Sequence, residues 1–230
     1  MGERSGPVDG HVARQRGPDM KLSPSGVGRY VESTIDALRL LSISSIENAI
    51  DLVLDAYASG GRIYIMGNGG SATTATHMAC DLIRSVEIAE VTRRRLRAFA
   101  LTDNAAVLTR CANDTAYELV FSEQLKALAD PGDLVIAISV SGCSSNVIAG
   151  LREAATSGSR TLGLFGSNAG PALQLVDVAI QVRSNDLGQV ETAHLAVVHA
   201  LADEVRRRVG ASGRQVDNTS PQSYGDAQID

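Results

Sequence analysis

Ile63-Tyr64-Ile65-Met66 runs directly into Gly67-Asn68-Gly69-Gly70-Ser71, and the pattern returns where Leu134-Val135-Ile136-Ala137-Ile138 runs into Ser139-Val140-Ser141-Gly142-Cys143-Ser144. Short continuous apolar runs that stop at turn residues read as strands buried on both faces. Strands of that kind belong to a parallel sheet with helices on either side. Outward from the two runs the alternation continues. Helical spacing is expected over Ala72 to Ile83, Ala105 to Ala112, Tyr117 to Ala129, Asn146 to Thr156, a short piece near Pro171, and a closing helix from about Gly188 to Val209. Strands are expected at Arg97 to Leu101, Thr161 to Phe165 and Val178 to Val182. Upstream, Tyr30 to Ala58 carries apolar residues at helical spacing, with a break near Ser42 to Ser45 and a stop at Gly60-Gly61. The expected fold is α/β, a three-layer α/β/α sandwich with a parallel sheet, preceded by a long N-terminal helical segment.

Composition bounds the chain further. With 230 residues, 44% hydrophobic and 20% charged, it can bury one core, and a single domain over residues 25–210 is the expectation. Residues 1–24 and 211–230 are polar and without periodicity, and read as disordered tails. A net charge of -5, no Trp and 3% aromatics argue against nucleic acid as a partner. The basic runs Arg93-Arg94-Arg95 with Arg97, and Arg206-Arg207-Arg208, read as solvated or inter-subunit surface. Cys80, Cys111 and Cys143 form an odd set without C-x-x-C spacing, as expected of a reducing compartment. No apolar run reaches the ~18 residues of a membrane span, and the N-terminus lacks a signal-like apolar stretch, so the expected location is cytoplasmic, without a membrane partner.

The two loops carry the chemistry. Each leaves a strand and enters a helix, so backbone N–H groups are expected to converge there on an anion, with Ser71 able to cap the first helix. The second loop adds Ser139, Ser141, Ser144 and Ser145, hydroxyls suited to a phosphate monoester. Neither loop contains the lysine of a nucleotide-binding P-loop. Gly67 to Ala72 also fits G-x-G-x-x-A, yet the acidic residue that a dinucleotide site needs at the end of the second strand, about 20 residues on, has no good candidate, Asp103 at the end of the next strand lying 33 residues beyond Gly70. Tight strand-to-helix turns alone would explain the glycines but not four serines.

Beside the loops stand histidines and carboxylates. His77 and Asp81 are four apart on the helix after the first loop and share a face. Glu191 and His199 are eight apart on the closing helix, about 12 Å along its axis, and long side chains could converge between them. His194 lies on a neighbouring face and suits the site, the core or a subunit contact. Two imidazoles and two carboxylates make a ligand set for Zn²⁺ or a similar divalent metal, and equally an acid and base pair.

These residues resemble the SIS (sugar isomerase) domain family, and within it the phosphoheptose isomerases. The resemblance spans about Tyr30 to Val209. It is carried by Gly67 to Ser71 with His77 six residues after the serine, Ala112-Asn113-Asp114, Gly132-Asp133 leading into Ser139 to Ser144, and His194 to His199 after Glu191. It implies a flavodoxin-like SIS fold, a homotetramer with active sites between subunits, a sugar phosphate substrate and one zinc ion per site. By the same resemblance Ser71, Ser139, Ser141 and Ser144, with Gly69 and Gly70, fall on phosphate-binding positions, and Asn68 and Asp114 on sugar-contacting ones. His77 and His199 fall on zinc-ligand positions with Asp81 and Glu191 beside them, and His199, Asp81 and Glu191 on catalytic ones. Four residues depart from the pattern. Asp81 stands where the family has glutamate and Glu191 where it has glutamine, while Val140 and Cys143 replace a threonine and an asparagine. The activity implied is aldose–ketose isomerisation of sedoheptulose 7-phosphate through an enediol. A non-catalytic protein that binds a replication initiator, or a sugar-phosphate sensor, fits the same pattern.

Overall fold

The computed structural model describes residues 25–88 and 95–214. The tail expected at 1–24, residues 215–230 of the tail expected at 211–230, and Arg93-Arg94 lie outside the described residues. Ser25 caps α1 (Gly26–Arg39) by accepting from the Gly28 N–H, and Ser42 caps α2 (Ile43–Ser59) by accepting from the Ser45 N–H. The serine cluster therefore marks a true break between two helices. Gly60, at φ 76°, closes α2 in the left-handed conformation. A Cβ on Gly61 would lie 2.2 Å from the Gly132 carbonyl oxygen, so the chain passes here only without a side chain.

Five strands then alternate with helices: β1 (Arg62–Gly67), α3 (Gly70–Ile88), β2 (Arg97–Ala100), α4 (Ala105–Asp114), a 3₁₀ turn at Tyr117–Leu119, α5 (Ser122–Leu128), β3 (Leu134–Ser139), α6 (Ser145–Thr156), β4 (Arg160–Phe165), a 3₁₀ turn at Gly170–Leu175, β5 (Val178–Gln181) and α7 (Leu187–Arg214). All pairings are parallel, in the order β2-β1-β3-β4-β5. This is the flavodoxin-like order, and it reverses between β1 and β3. The expected helix over Tyr117 to Ala129 is instead a 3₁₀ turn and a separate short helix. The closing helix continues to Arg214, past the expected boundary at 210.

Alternate strand residues feed two cores. Ile63, Ile65, Leu134, Ile136, Leu162 and Ile180 pack on one face with α2, α3 and α7. Tyr64, Met66, Val135, Ala137 and Phe165 pack on the other with Cys111, Phe121, Val147 and Leu151. A smaller cluster of Ala37, Val182, Val190 and Ala193 docks α1 against α7. The basic run on α7 is neutralised in place. Arg206 pairs with Asp203, Arg207 with Glu204, and Arg208 with Glu204, Glu47 and Asp51. Hydrogen bonds from Arg207 and Arg208 hold the Glu204 carboxyl down at about 2. No helix among the described residues is long and apolar enough to cross a membrane.

Asp133 ties the sheet together at the end opposite the loops. Its buried carboxylate accepts from the Arg62 N–H (2.6 Å) and the Asp130 N–H (2.9 Å), while its carbonyl accepts from the Arg160 N–H (2.9 Å). Replacing it leaves buried donors unpaired. Asp133→Ala is expected to lower the unfolding free energy by about 3 kcal/mol in urea titration, a loss set by two hydrogen bonds to a charged acceptor.

Candidate active site

Both loops sit where the strand order reverses, at the carboxyl ends of β1 and β3, the place where open α/β sheets bind ligands. Their geometries differ. In the second loop the Ser139 hydroxyl oxygen accepts from the Gly142 N–H (3.1 Å) and the Ser141 oxygen from the Cys143 N–H (3.2 Å). Each keeps its hydroxyl proton for a ligand. Ser144 occupies the N-cap of α6, but its hydroxyl makes no capping bond. Three hydroxyls thus stand around the start of α6, whose dipole favours an anion.

The first loop is closed on itself. The Ser71 N–H donates to the Asn68 carbonyl (3.0 Å), and those of Ala72 and Thr73 to the Gly69 carbonyl (3.0 and 3.3 Å). Ser71 therefore lies within α3 rather than capping it, 5% exposed and packed against Gly67. The N–H groups of Ser71, Ala72 and Thr73 are thus spent in the turn, because these three successive residues fold straight into the helix. Glu191 reinforces the difference. A Cβ on Gly70 would fall 2.2 Å from Glu191 Oε1, so the carboxylate rests directly on the glycine that opens α3.

Two turns along the same helix, His77 and Asp81 face His199 of α7. His77 Nε2 lies 3.2 Å from Asp81 Oδ2 and 2.9 Å from His199 Nε2, and His199 Nε2 lies 3.7 Å from Asp81 Oδ2. The rings are tilted by 57°, which brings the two Nε2 atoms together. Ligand atoms held at ~2.0–2.1 Å by a tetrahedral Zn²⁺ are about 3.3 Å apart. The three observed separations bracket that value, so these donors fit a zinc ion, with a fourth position left for water or substrate. Asp81, although one methylene shorter than glutamate, reaches both histidines because α3 and α7 approach closely. Ser85, one turn after Asp81, lies with its hydroxyl 2.9 Å from the Ala202 carbonyl and 2.7 Å from that of Asp81. The cleft over the triad measures about 390 Å³ and is flanked by Arg84 and Arg206. A larger groove of about 1110 Å³ runs along β2 past Ile83, Phe99 and Leu128, and holds none of these residues.

The structure corrects one member of the expected ligand set. Among the described residues only His77, Asp81 and His199 group as ligands, and Glu191 is not with them. Eight residues of helix set the two backbones about 12 Å apart along the axis, and the Glu191 carboxylate lies against Gly70 instead. Asp114 is exposed at the end of α4 and accepts from the Asn113 side chain (2.9 Å). His194 belongs to the core. It is fully buried, and neither ring nitrogen makes a well-formed hydrogen bond, the Phe165 backbone offering only a weak interaction. Three residues escaped the sequence reading: Asn146, Tyr117 and Ser85. Asn146 was visible only as the start of a helix, and Tyr117 was hidden inside a predicted one.

Comparison with known proteins is decisive at this point, since the SIS domain family profile matches residues 28–166. The chain belongs to the SIS domain family. Within that family it resembles phosphoheptose isomerases. It is 40% identical to the phosphoheptose isomerase of Geotalea daltonii over 164 residues, which cover 71% of this chain and 84% of that protein. The structure of the Neisseria gonorrhoeae phosphoheptose isomerase superposes with a TM-score of 0.72 at 29% identity, covering 78% of this chain and 96% of that one. That from Francisella tularensis gives 0.74 at 26%, covering 79% and 96%. The SIS fold and its phosphoheptose isomerase branch thus agree with the residues that suggested them.

Burial, only partly offset by the Phe165 backbone, pushes the His194 imidazole down to about 4. The unfolded chain titrates near 6.5, so between these values it binds a proton that the folded protein does not. Stability is then fully present above pH 6.5 and falls as the pH drops toward 4, by on the order of 3 kcal/mol. Urea unfolding of the native protein and His194→Leu from pH 4 to 7 checks this. The native curve should fall more steeply; parallel curves would refute it.

Proposed function

We propose that this phosphosugar isomerase converts sedoheptulose 7-phosphate to D-glycero-D-manno-heptose 7-phosphate through an enediol. The observation that carries the proposal is the convergence of His77, Asp81 and His199 at 2.9 to 3.7 Å, in a chain of the phosphoheptose isomerase branch. A protein that only binds a partner or senses a sugar phosphate has no use for such a triad.

The phosphate is assigned to Ser139, Ser141 and Ser144 at the start of α6. Ser71, Gly69 and Gly70 form the wall opposite, and Asn68 and Asp114 meet the sugar. Isomerisation removes a proton from C1 and returns one to C2, which needs a base and an acid on the open chain. The Glu191 carboxylate, resting on Gly70 and engaged by no hydrogen bond or ion pair among the described residues, is suited to take the proton. His199 is suited to move the proton at the oxygens through its Nδ1, its Nε2 being the atom that faces His77 and Asp81 and would be committed to a metal. His77, Asp81 and His199 would hold a zinc ion, which when bound polarises the substrate carbonyl. Both histidine side chains are about half exposed, at 45% and 54%, which supports an active site completed by a neighbouring subunit of a homotetramer. A reducing cytoplasm suits the three free cysteines.

Metal analysis combined with an NMR assay of sedoheptulose 7-phosphate turnover tests this reading. The native protein should carry about one zinc per chain and form a new heptose phosphate. His199→Ala should lose the metal and lower kcat roughly 10³-fold. No heptose after hours with the zinc-loaded protein would sink the assignment.

A further inference from the structure

The two loops are joined through a side chain, Asn146, that the proposed chemistry does not use. Asn146, 2% exposed in the first turn of α6, forms a reciprocal amide pair with Asn68 of the first loop. Asn68 Nδ2 donates to Asn146 Oδ1 at 2.8 Å, and Asn146 Nδ2 donates back to Asn68 Oδ1 at 2.9 Å. The direction of this pair is forced. The backbone N–H of Val147 donates to Asn146 Oδ1 at 2.9 Å, and a main-chain N–H cannot reverse its role. With that oxygen fixed, Asn146 can offer only its N–H to the facing atom, which must be the Asn68 oxygen. The Tyr117 hydroxyl then donates to the same Asn68 Oδ1 at 3.0 Å.

Counting the capacity of the Asn68 amide gives a definite result. Its oxygen has two lone pairs, taken by Asn146 and Tyr117, and one of its two N–H groups is taken by Asn146. A single N–H remains. We infer that Asn146 and Tyr117 are positioning residues, which lock Asn68 as a donor toward an acceptor oxygen of the sugar and hold the two loops as one unit. The inference rests on the assignment of Asn68 to the sugar made above. Its physical content is an orientation: an unlocked amide can turn and present its oxygen instead, which would meet the lone pairs of the substrate oxygen unfavourably. Tyr117 supplies the second bond from outside the pair. Its residue is 61% exposed, so the ring itself contributes little burial and its hydroxyl can be removed without disturbing the core.

Two variants separate orientation from architecture. Tyr117→Phe removes one hydrogen bond to the Asn68 oxygen. Asn146→Asp keeps an acceptor for Val147 and for the Asn68 N–H, but sets an oxygen against Asn68 Oδ1. The measurements are kcat/KM for sedoheptulose 7-phosphate, the thermal midpoint, and the side-chain amide signals of Asn68 in a ¹⁵N-labelled sample, assigned by their loss in Asn68→Ala. Tyr117→Phe is expected to lower kcat/KM about fivefold, the worth of one neutral hydrogen bond, with an unchanged midpoint. Asn146→Asp should lower it more, and the Asn68 signals should shift in both variants. Unmoved Asn68 signals overturn the inference, as does an activity loss in Tyr117→Phe matched by a fall in midpoint. If the native protein fails to turn over the sugar phosphate, the functional assignment fails by itself. The amide signals then decide the lock alone, their shift supporting it and their constancy overturning it.

Discussion

The ladder between β1 and β3 sets Met66 beside Ala137 and Gly67 beside Ile138, so the chain leaves two neighbouring strands at the same height. Strand order reverses at this seam, and the connections depart to opposite faces of the sheet: α3 on one, α6 on the other. A crevice at that point is a consequence of topology, not of any particular side chain. The cores beneath it, with Ile63, Ile65, Ile136 and Ile138 on one side and Met66, Val135 and Ala137 on the other, keep the two strand ends from moving relative to each other. The loops inherit their spacing from that rigidity.

Much of this was legible in the sequence, because each element announces itself locally. Continuous apolar runs gave the strands, Ser42 and Gly60 gave the helix boundaries, and the serines after Ile138 marked the loop to which the proposed function assigns the phosphate. Pairing His77 with Asp81 needed only helical periodicity. What stayed hidden depends on distances between elements. Eight residues along α7 were read as a span that long side chains could bridge, whereas the helix keeps Glu191 near Gly70 and His199 near His77. The first loop looked like a donor cradle because glycine content says nothing about which way N–H groups turn; here they close the turn onto Asn68 and Gly69. The Asn68–Asn146 pair joins residues 78 apart, beyond the reach of any local pattern.

Asp81 illustrates how a departure from a family pattern is absorbed. Shortening a carboxylate by one methylene withdraws its oxygens by more than an ångström, enough to leave a metal or a proton out of reach if the backbone stays put. The hydroxyl of Ser85 brings the backbones of α3 and α7 within hydrogen-bonding distance of a single oxygen atom, one turn from the site. In this chain the short acid lies within 3.7 Å of both histidines across helices tied together at Ser85.

The glutamate resting on Gly70 has an effect on the shape of acceptable ligands. One wall of the crevice offers hydroxyls and the open end of a helix, and the opposite wall already carries a fixed negative charge at the corresponding helix end. Such a crevice is electrically polarised from one wall to the other. Under the function proposed above, a molecule with its charge at one terminus and neutral hydroxyls at the other would be drawn in by one end only. That polarity would set the direction of entry, and with it the carbon that faces the histidines.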